Sequence, residues 1–309
     1  MSTVLLNNHR ARFRRPSAPV RRLFGSCLIV LGLLLSQGAG AQEKSFLWKV
    51  RAEKGSLYIL GSIHFLKKEN YPLKRTIEEA FGIAQKLLLE IDLRSADPAT
   101  VQRLTLEKGL NRDGTTLQQK ISPETYSLAE QHAKELGVDI RALSSFKPWL
   151  VALTMTALQL QKLGFDAGFG VDRYLAERGA KAGKAMSGFE TVGFQIGLID
   201  QLSPQDQESM LRQSLQEMDL VDRSLDRIVR SWSTGDVHSL EELLLSGMRD
   251  YPEVHQKIIA DRNRSWLPQI EKALQQGEST LVVVGAAHLV GKDGILELLK
   301  ARGYTLEQL

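Results

Sequence analysis

Cysteine is almost absent from this sequence. Of 309 residues only Cys27 is a cysteine, so the chain cannot form an internal disulfide bond. Small secreted domains often depend on disulfides because their cores are small. A chain of this length can bury a large hydrophobic core, and its fold must rest on that core alone. Nothing after residue 41 is apolar for long enough to cross a membrane, which excludes membrane-spanning helices beyond that point.

Two common hydrolase signatures are also missing. The sequence contains neither a His-Glu-x-x-His nor a Gly-x-Ser-x-Gly motif. The first motif places two zinc ligands and a base on one helix, and the second exposes a serine nucleophile on a sharp turn. Because both motifs are absent, neither a zincin nor an ordinary α/β-hydrolase is supported.

Acidic residues are absent from the first 41 residues, which carry six arginines. An apolar run follows at 28–35, and Ala39 and Ala41 supply the small residues that signal peptidase requires. This pattern predicts a signal peptide at 1–41 and a periplasmic or secreted mature protein. Removing the six arginines from the 40 basic residues leaves 34 against 36 acidic ones, a net charge of −2. Because this charge is not basic, we expect no nucleic-acid partner. Because no long apolar stretch follows residue 41, we also expect no stable membrane span after signal cleavage.

The rest of the chain has strand-like segments near both ends. Four apolar segments predict strands: 45–50 and 56–61 as a hairpin, and 86–92 and 279–285 as buried strands. We predict an α/β (α+β) fold, with a central mixed β-sheet formed by the N- and C-terminal segments. A large helical insertion is expected at about 120–275, within a domain that spans 42–309.

The middle of the chain is predicted to be mostly helical. Ser122 is suited to cap a helix that has Pro123 at its first position. A short strand is expected at 138–143, and one long charged helix at 203–235. The segment Ala185-Met186-Ser187-Gly188 is a further strand candidate.

Three side chains capable of chemistry follow predicted strands. His64 and His288 each end a Gly-x-x-His motif, and Glu90 lies at the tip of a third apolar strand, two residues before Asp92. In open α/β sheets, ligands bind beyond the carboxyl ends of the strands. Two imidazoles and a carboxylate form a ligand set that suits zinc, manganese or iron and leaves positions open for water and substrate. A single histidine at a strand end is more often a hydrogen-bonded structural residue, but the repeated motif favours a site.

Three other charged residues have alternative interpretations. Glu190 is either a general base or the partner of Lys184 or Arg262, because a buried carboxylate usually needs one. Arg262 either binds a substrate carboxylate through its fork of donors or bridges its helix to the core. Asp172 is either a residue that supports the site or an ordinary acid at a helix start. The remaining histidines of the predicted domain, His132, His238 and His255, are expected to be solvated.

These motifs together resemble the TraB/PrgY/GumN family. The resemblance extends from about Phe46 to Tyr304, with small departures at Ser62 and Phe189 that touch no proposed ligand. It rests on Gly61-Ser62-Ile63-His64, Leu89-Glu90-Ile91-Asp92, Lys147-Pro148-Trp149, Gly170-Val171-Asp172, Gly188-Phe189-Glu190-Thr191 with Gln195, Asp261-Arg262-Asn263 and Gly285-Ala286-Ala287-His288.

The resemblance implies a core related to erythromycin-esterase-like and haem-binding ChaN-like proteins. Animal relatives with paired Gly-x-x-His motifs behave as metal-dependent proteases of the Tiki type, which favour manganese or cobalt. Bacterial members include proteins tied to pheromone shut-down and to polysaccharide gene clusters.

The sequence therefore predicts an exported metal-dependent hydrolase that acts on a peptide or small-molecule substrate. His64, Glu90 and His288 are the expected catalytic residues and the ligands of a divalent ion (manganese, cobalt or zinc) that activates water. Arg262, Lys184 and Glu190 are the expected substrate-binding residues. The alternative is a non-catalytic protein of the cell envelope that binds haem, metal or a peptide pheromone. A third possibility is a scaffold in envelope assembly that uses the charged helix from Ser203.

Overall fold

The computed structural model describes residues 44–51, 56–92, 97–249 and 251–309. The predicted signal peptide at 1–41 lies outside these residues. Within the described part of the chain, no helix combines the length and the apolar character needed to cross a membrane.

In the described residues, six strands form one mixed sheet in the order β4-β3-β5-β2-β1-β6. Its strands are β1 Leu47–Arg51, β2 Ser56–Ser62, β3 Lys86–Ile91, β4 Ala185–Glu190, β5 Thr280–Gly285 and β6 Leu306–Gln308. The four strands β4, β3, β5 and β2 run parallel, whereas β1 is antiparallel to both β2 and β6. Every residue of β5 is buried, as expected for a central parallel strand covered on both faces.

The register aligns the carboxyl ends of the parallel strands. Ser62 at the end of β2 pairs with Gly285 at the end of β5. In the neighbouring pair of strands, Ile91 at the end of β3 pairs with Glu190 at the end of β4. Side chains that follow these strands therefore meet at one edge of the sheet.

Helices connect the strands and cover the sheet. Their bounds are α1 Arg75–Ile83, α2 Pro98–Gly109, α3 Leu117–Lys120, α4 Pro123–Glu135, α5 Pro148–Lys162, α6 Val171–Lys181, α7 Val192–Asp200, α8 Pro204–Glu217, α9 Val221–Thr234, α10 Val237–Leu245, α11 Pro252–His255, α12 Asp261–Gln276 and α13 Ile295–Ala301. A π-helix at Gln256–Ala260 joins α11 to α12. The expected cap of α4 is present, because the Ser122 hydroxyl accepts a hydrogen bond from the Thr125 amide and Pro123 follows.

Two hydrophobic clusters form the interior. The larger one surrounds the sheet and includes the fully buried Trp266 of α12. The smaller one lies among α4, α5 and α8, where Val151 and Leu211 are fully buried. The helical middle of the chain thus has a core of its own that packs apart from the sheet.

The predicted mixed α/β fold is confirmed, with three corrections of detail. The sheet does not come from the two ends alone, because β4 lies inside the expected helical insertion. Residues 138–143 form no strand: Asp139 instead caps a 3-10 turn at Ile140–Leu143 through the Arg141 amide. The segment 203–235 is two helices, α8 and α9, separated by a 3-10 turn at Met218–Leu220. The relation to the erythromycin-esterase and ChaN cores stays a prediction.

Candidate active site

Arg262 lies at the centre of the charged groups that follow the parallel strands. Its Nη2 donates to Glu90 Oε2 at 2.7 Å and to Glu190 Oε2 at 2.9 Å, and its Nε donates to Glu190 at 3.1 Å. Its Nη1 donates to the Ile258 carbonyl and to His288 Nε2, each at 3.0 Å. A guanidinium has five N–H donors, and these contacts use all of them.

The local backbone explains how Arg262 reaches this position. It is the second residue of α12, directly after the π-helix, and only 7% of its surface is exposed. A π-helix inserts one extra residue into a helical turn and often occurs at functional sites. Here the carbonyl of Ile258, within that turn, accepts a hydrogen bond from the guanidinium. The indole of Trp266, one turn further along α12, lies 4.7 Å from the guanidinium carbon.

Glu90 is held at the end of β3 by three donors. Its Oε1 accepts a hydrogen bond from the Gly285 amide at 2.7 Å, and its Oε2 accepts from Arg262 and from Gln195. Burial raises the pKa of the Glu90 carboxyl, but the imidazoles of His288 and His64, the guanidinium and the Gly285 amide outweigh it. The resulting pKa is about 2. Glu90 is therefore an ionised carboxylate with a fixed orientation.

His288 is buried and neutral. The Asn263 amide group donates to two backbone carbonyls, so its Oδ1 must accept the proton of His288 Nδ1, 2.7 Å away. The lone pair of Nε2 then accepts from Arg262. Burial and the guanidinium charge lower the pKa of His288 to about 3, against the opposing charge of Glu90.

His64 lies on the other side of Glu90 and faces solvent with 54% of its side chain. Its Nδ1 lies 3.1 Å from Asp172 Oδ1, which leaves Nε2 directed away from that carboxylate. The protein atoms around the ring lower the pKa of His64, but the charge and hydrogen bond of Asp172, together with Glu90, raise it to about 9. A carboxylate that orients the far nitrogen of a histidine is the usual support of a metal-binding imidazole.

A cavity of about 300 Å³ lies over these groups. Its lining includes His64, Glu90, Asp172, Gln195 and Ser62. The Ser62 hydroxyl is buried and has no hydrogen-bond partner within the described protein, a costly arrangement that a bound ligand would relieve.

Gly285 lies between the side chains of His64 and Glu90. A Cβ atom at this position would lie 3.1 Å from His64 Nε2 and 3.2 Å from Glu90 Oε1. The same point lies 3.7 Å from the His288 ring. The missing side chain leaves open a small space that all three predicted residues border.

The charges of the site do not balance. Glu90, Glu190 and Asp172 are carboxylates, and Arg262 is the one Lys or Arg that the described contacts place against them. The pKa of His64 is raised to about 9, so at pH 7 its ring adds a second positive charge and the net charge of the group is −1; a cation that replaced this proton would meet a net charge of −2. Buried or half-buried negative charge is costly unless a cation compensates it. The chemistry of the donors thus fits a divalent cation.

The three predicted ligands do not fit such a cation equally well. His64 Nε2 and Glu90 Oε1 both border the space over Gly285. His288 Nε2 instead accepts a hydrogen bond from Arg262 and lies 3.9 Å from Glu90 Oε1. The residues therefore fit an ion held by His64 and Glu90, with its other positions taken by water or substrate.

A second group of possible metal-binding residues lies in the helical part. Among the described residues, His132, Glu135 and Asp219 are the trio of histidine and acidic side chains whose ligand atoms lie within 4.8 Å of one another. Glu135 and Asp219 are exposed, but His132 is 2% exposed, so the expectation that it is solvated is wrong. It lies on the buried face of α4, close to Asp219 of the 3-10 turn after α8, and its polar neighbours in the sequence do not indicate this burial.

The three expected substrate-binding residues have other contacts in this structure, and their role stays a prediction. Lys184 lies just before β4, at the opposite edge of the sheet, where its amine donates to the Ala84 carbonyl. Glu190 is 6% exposed in its side chain and is bonded to Arg262, Gln195 and Trp266. Arg262 has no donor left over for a substrate. The structure therefore supports substrate binding by none of the three.

Several contributors to the site were not assigned a role from the sequence. Gln195 donates to both Glu90 and Glu190 at 3.1 Å, and Asn263 fixes the His288 ring. Both residues lie in the motifs that carry the family resemblance, and those motifs are the sequence signal that could have identified them. Ser62 occupies the position noted as a departure from that resemblance.

Comparison with known proteins agrees with this motif set. The sequence model of the TraB/PrgY/gumN family matches residues 46–308. The chain belongs to this family. No solved structure matches it.

Curated relatives of this TraB/PrgY/gumN protein are distant in sequence. The uncharacterized protein YbaP of Escherichia coli K12 is 24% identical over 243 residues, which cover 79% of this chain and 87% of YbaP. An uncharacterized protein of Treponema pallidum is 23% identical over 87% of this chain and 85% of its own length. The metalloprotease TIKI2 of zebrafish is 22% identical over 85% of this chain and 60% of TIKI2.

Proposed function

We propose that this TraB/PrgY/gumN protein is a metal-dependent hydrolase that cleaves peptides. The supporting observation is the space over Gly285 that His64 Nε2 and Glu90 Oε1 share, beside an excess of negative charge. A divalent cation such as manganese, cobalt or zinc would balance that charge. The name of the zebrafish relative, a metalloprotease, supports the same class of reaction.

Each residue of the site has a distinct part in this proposal. A bound divalent ion would supply an electrophile and a nucleophilic water near neutral pH. Asp172 holds a proton on Nδ1 of His64, so Nε2 is the nitrogen that would give up its proton to bind a metal ion. The Gly285 amide and Arg262 fix the two oxygens of Glu90. Such fixed groups need no reorganisation during the reaction.

His288 and Ser62 complete the arrangement. His288 acts as an acceptor that positions Arg262, because its ring is held by Asn263 and buried. The Ser62 hydroxyl, at the wall of the cavity, is available to donate to a polar oxygen of the substrate. A substrate carbonyl bound there would satisfy a group that is otherwise unpaired.

A peptide-cleavage assay tests the proposal. The full chain is treated with a chelator and then assayed on a peptide library, with manganese, cobalt or zinc added back. We expect cleavage only with metal, and a loss of at least about 100-fold in His64→Ala, because losing a ligand should cost more than the roughly 10–100-fold of losing a residue that supports one. The control His238→Ala changes a histidine outside the site. Equal activity in His64→Ala and in the control would contradict the proposal, and metal binding without any cleavage would favour the alternative of a binding protein.

We also propose that the protein is exported. The arginine-rich start, the apolar run at 28–35 and the small residues Ala39 and Ala41 support a cleaved signal peptide. N-terminal sequencing of the protein from its native host should begin at or near Gln42. An intact N-terminus in the purified protein would overturn this.

A further inference from the structure

A second cavity, of about 630 Å³, lies in the helical part of the molecule. It is enclosed by α7, α8, α9, α10 and the π-helix, and its walls are mostly aliphatic. Representative lining residues are Ile199, Met210, Leu225, Leu244, Met248 and Ile258. An apolar cavity of this size is typical of a small-molecule or side-chain binding site.

The cavity adjoins the proposed active site through two helices. In α7, Gln195 lines the catalytic cavity and Ile199 lines the aliphatic one, four residues and about 6 Å along the helix axis. Ile258 of the π-helix lines the aliphatic cavity and also offers its carbonyl to Arg262. A molecule in the aliphatic cavity would therefore contact the elements that hold Glu90 and Arg262.

The polar groups of the cavity indicate what kind of molecule it accepts. Asp206 and Glu217 are two acids against one base, Arg227, so an anionic lipid headgroup would meet net negative charge. Ser224 adds a neutral hydroxyl, and Gln213, whose amide nitrogen already donates to Glu217 and to the Gly247 carbonyl, adds an acceptor oxygen; both suit peptide groups. Methionines in the wall adapt to side chains of different shape. The chemistry favours an uncharged peptide with aliphatic side chains over a fatty acid.

We propose that this cavity binds the aliphatic side chains of the peptide substrate. This inference rests on the proposed function and extends it: the enzyme would select peptides with Leu, Ile or Val near the cleaved bond. The cavity supplies specificity, and the His64–Glu90 site supplies the reaction. Aliphatic side chains entering it would gain affinity through burial of apolar surface.

Calorimetry on the chelator-treated full chain tests the binding step without requiring turnover. The probes are acetyl-Gly-Leu-Val-Leu-Gly-amide, its counterpart with three serines in the middle, and decanoate. We expect the aliphatic peptide to bind at least tenfold more tightly than the serine peptide. Leu225→Trp, which fills the cavity, should weaken that binding at least tenfold, and Met248→Trp serves as a second filling variant if the first misfolds.

The control is Leu153→Trp, at a residue of α5 that is 42% exposed and lies outside the cavity. It should bind the aliphatic peptide like the parent. Equal binding of the two peptides, unchanged binding in both filling variants, or tighter binding of decanoate than of the aliphatic peptide would each overturn the inference. Binding without cleavage would support the aliphatic peptide site while overturning the hydrolase proposal, so the two failures are distinguishable.

Discussion

Arg262 shows at the residue scale why a buried guanidinium suits this site better than any other cation. It joins two carboxylates, a histidine and a backbone carbonyl in one plane of donors. Lysine has the same charge but presents it as a compact point with no planar fork. The residue thus sets the geometry of Glu90 and His288 as well as their electrostatics.

Replacing Arg262 with lysine should destabilise the fold. A lysine cannot satisfy Glu90, Glu190 and His288 together, and breaking a buried ion pair costs about 3–5 kcal/mol. The matched control is Arg264→Lys, two residues along the same helix, where the side chain is half-exposed and pairs with Asp293. We expect that control to cost about 0–1 kcal/mol. Urea unfolding of both variants measures the difference, and equal losses would contradict the account of Arg262.

The charge of Asp172 controls the protonation of His64. In metal-free protein the pKa of the His64 ring is raised to about 9, so the ring should be protonated at pH 7. Asp172→Asn removes the main charge that raises this pKa, so we expect the pKa to fall towards the ordinary 6.5. A titration followed by NMR measures it. Asp226→Asn, on the exposed face of α9, is the control, and an unchanged His64 titration in Asp172→Asn would rule the assignment out.

The shifted pKa values of His64 and Glu90 also make the stability of the fold depend on pH. Because the folded pKa of His64 is raised, its contribution is fully present below about pH 6.5 and is lost as the pH rises through about 9. The lowered pKa of Glu90 acts in the opposite direction. Its contribution is present above about pH 4.5 and is lost as the pH falls towards 2.

The residues that the sequence could reveal are those that repeat a local pattern. His64 and His288 stand out because each follows a glycine at the end of an apolar run, and Glu90 because it ends one. The partner of Glu190 could not be chosen between Lys184 and Arg262, because Arg262 is 72 residues away along the chain. Contacts of that separation depend on how the elements pack. The sequence pattern alone does not contain them.

At the scale of elements, the end of β5 determines the shape of the site. Gly285 pairs with Ser62 of β2 and donates its amide to Glu90 of β3, so three strands meet at one glycine. Its backbone has φ −52°, which any residue can adopt. The requirement for glycine is therefore one of space and not of backbone conformation.

Substituting Gly285 with alanine should block the site while preserving the fold. The added methyl group would lie 3.1 Å from His64 Nε2 and 3.2 Å from Glu90 Oε1, in the space proposed for the metal. We expect weaker manganese binding and a loss of cleavage. The control is Gly82→Ala in α1, where a methyl group meets nothing within 4 Å and should raise stability by about 0.5–1 kcal/mol. Circular dichroism checks the fold, and parent-like manganese binding by Gly285→Ala would refute the placement.

The elements that could be predicted have strong local signals. The strands at 56–61 and 279–285 are rich in β-branched and leucine residues, and α4 begins at its predicted cap. The prediction of a strand at 138–143 is wrong because the Asp139 side chain accepts a hydrogen bond from the Arg141 amide and stabilises a turn instead. The π-helix at Gln256–Ala260 has no sequence signature. Within it, the Ile258 carbonyl accepts a hydrogen bond from Arg262, a contact that local sequence patterns do not encode.

At the scale of the whole molecule, the sheet and the helices contribute different properties. The parallel strands fix Glu90 and Glu190 at one end of the sheet. The helices α6, α7 and α12 bring Asp172, Gln195 and Arg262 to the same end. The helical middle supplies the aliphatic cavity, beside α7 and the π-helix. This division agrees with a family match that spans both parts, residues 46–308.

Manganese binding by Glu90→Gln tests the central claim most directly. The neutral amide coordinates metal poorly, so this variant should bind one Mn²⁺ fewer per chain than the parent in calorimetry and should lose cleavage. The control is Glu130→Gln on the exposed face of α4, which should match the parent in both properties. Circular dichroism confirms that both variants fold. A folded Glu90→Gln that keeps the manganese stoichiometry and affinity of the parent would contradict the account.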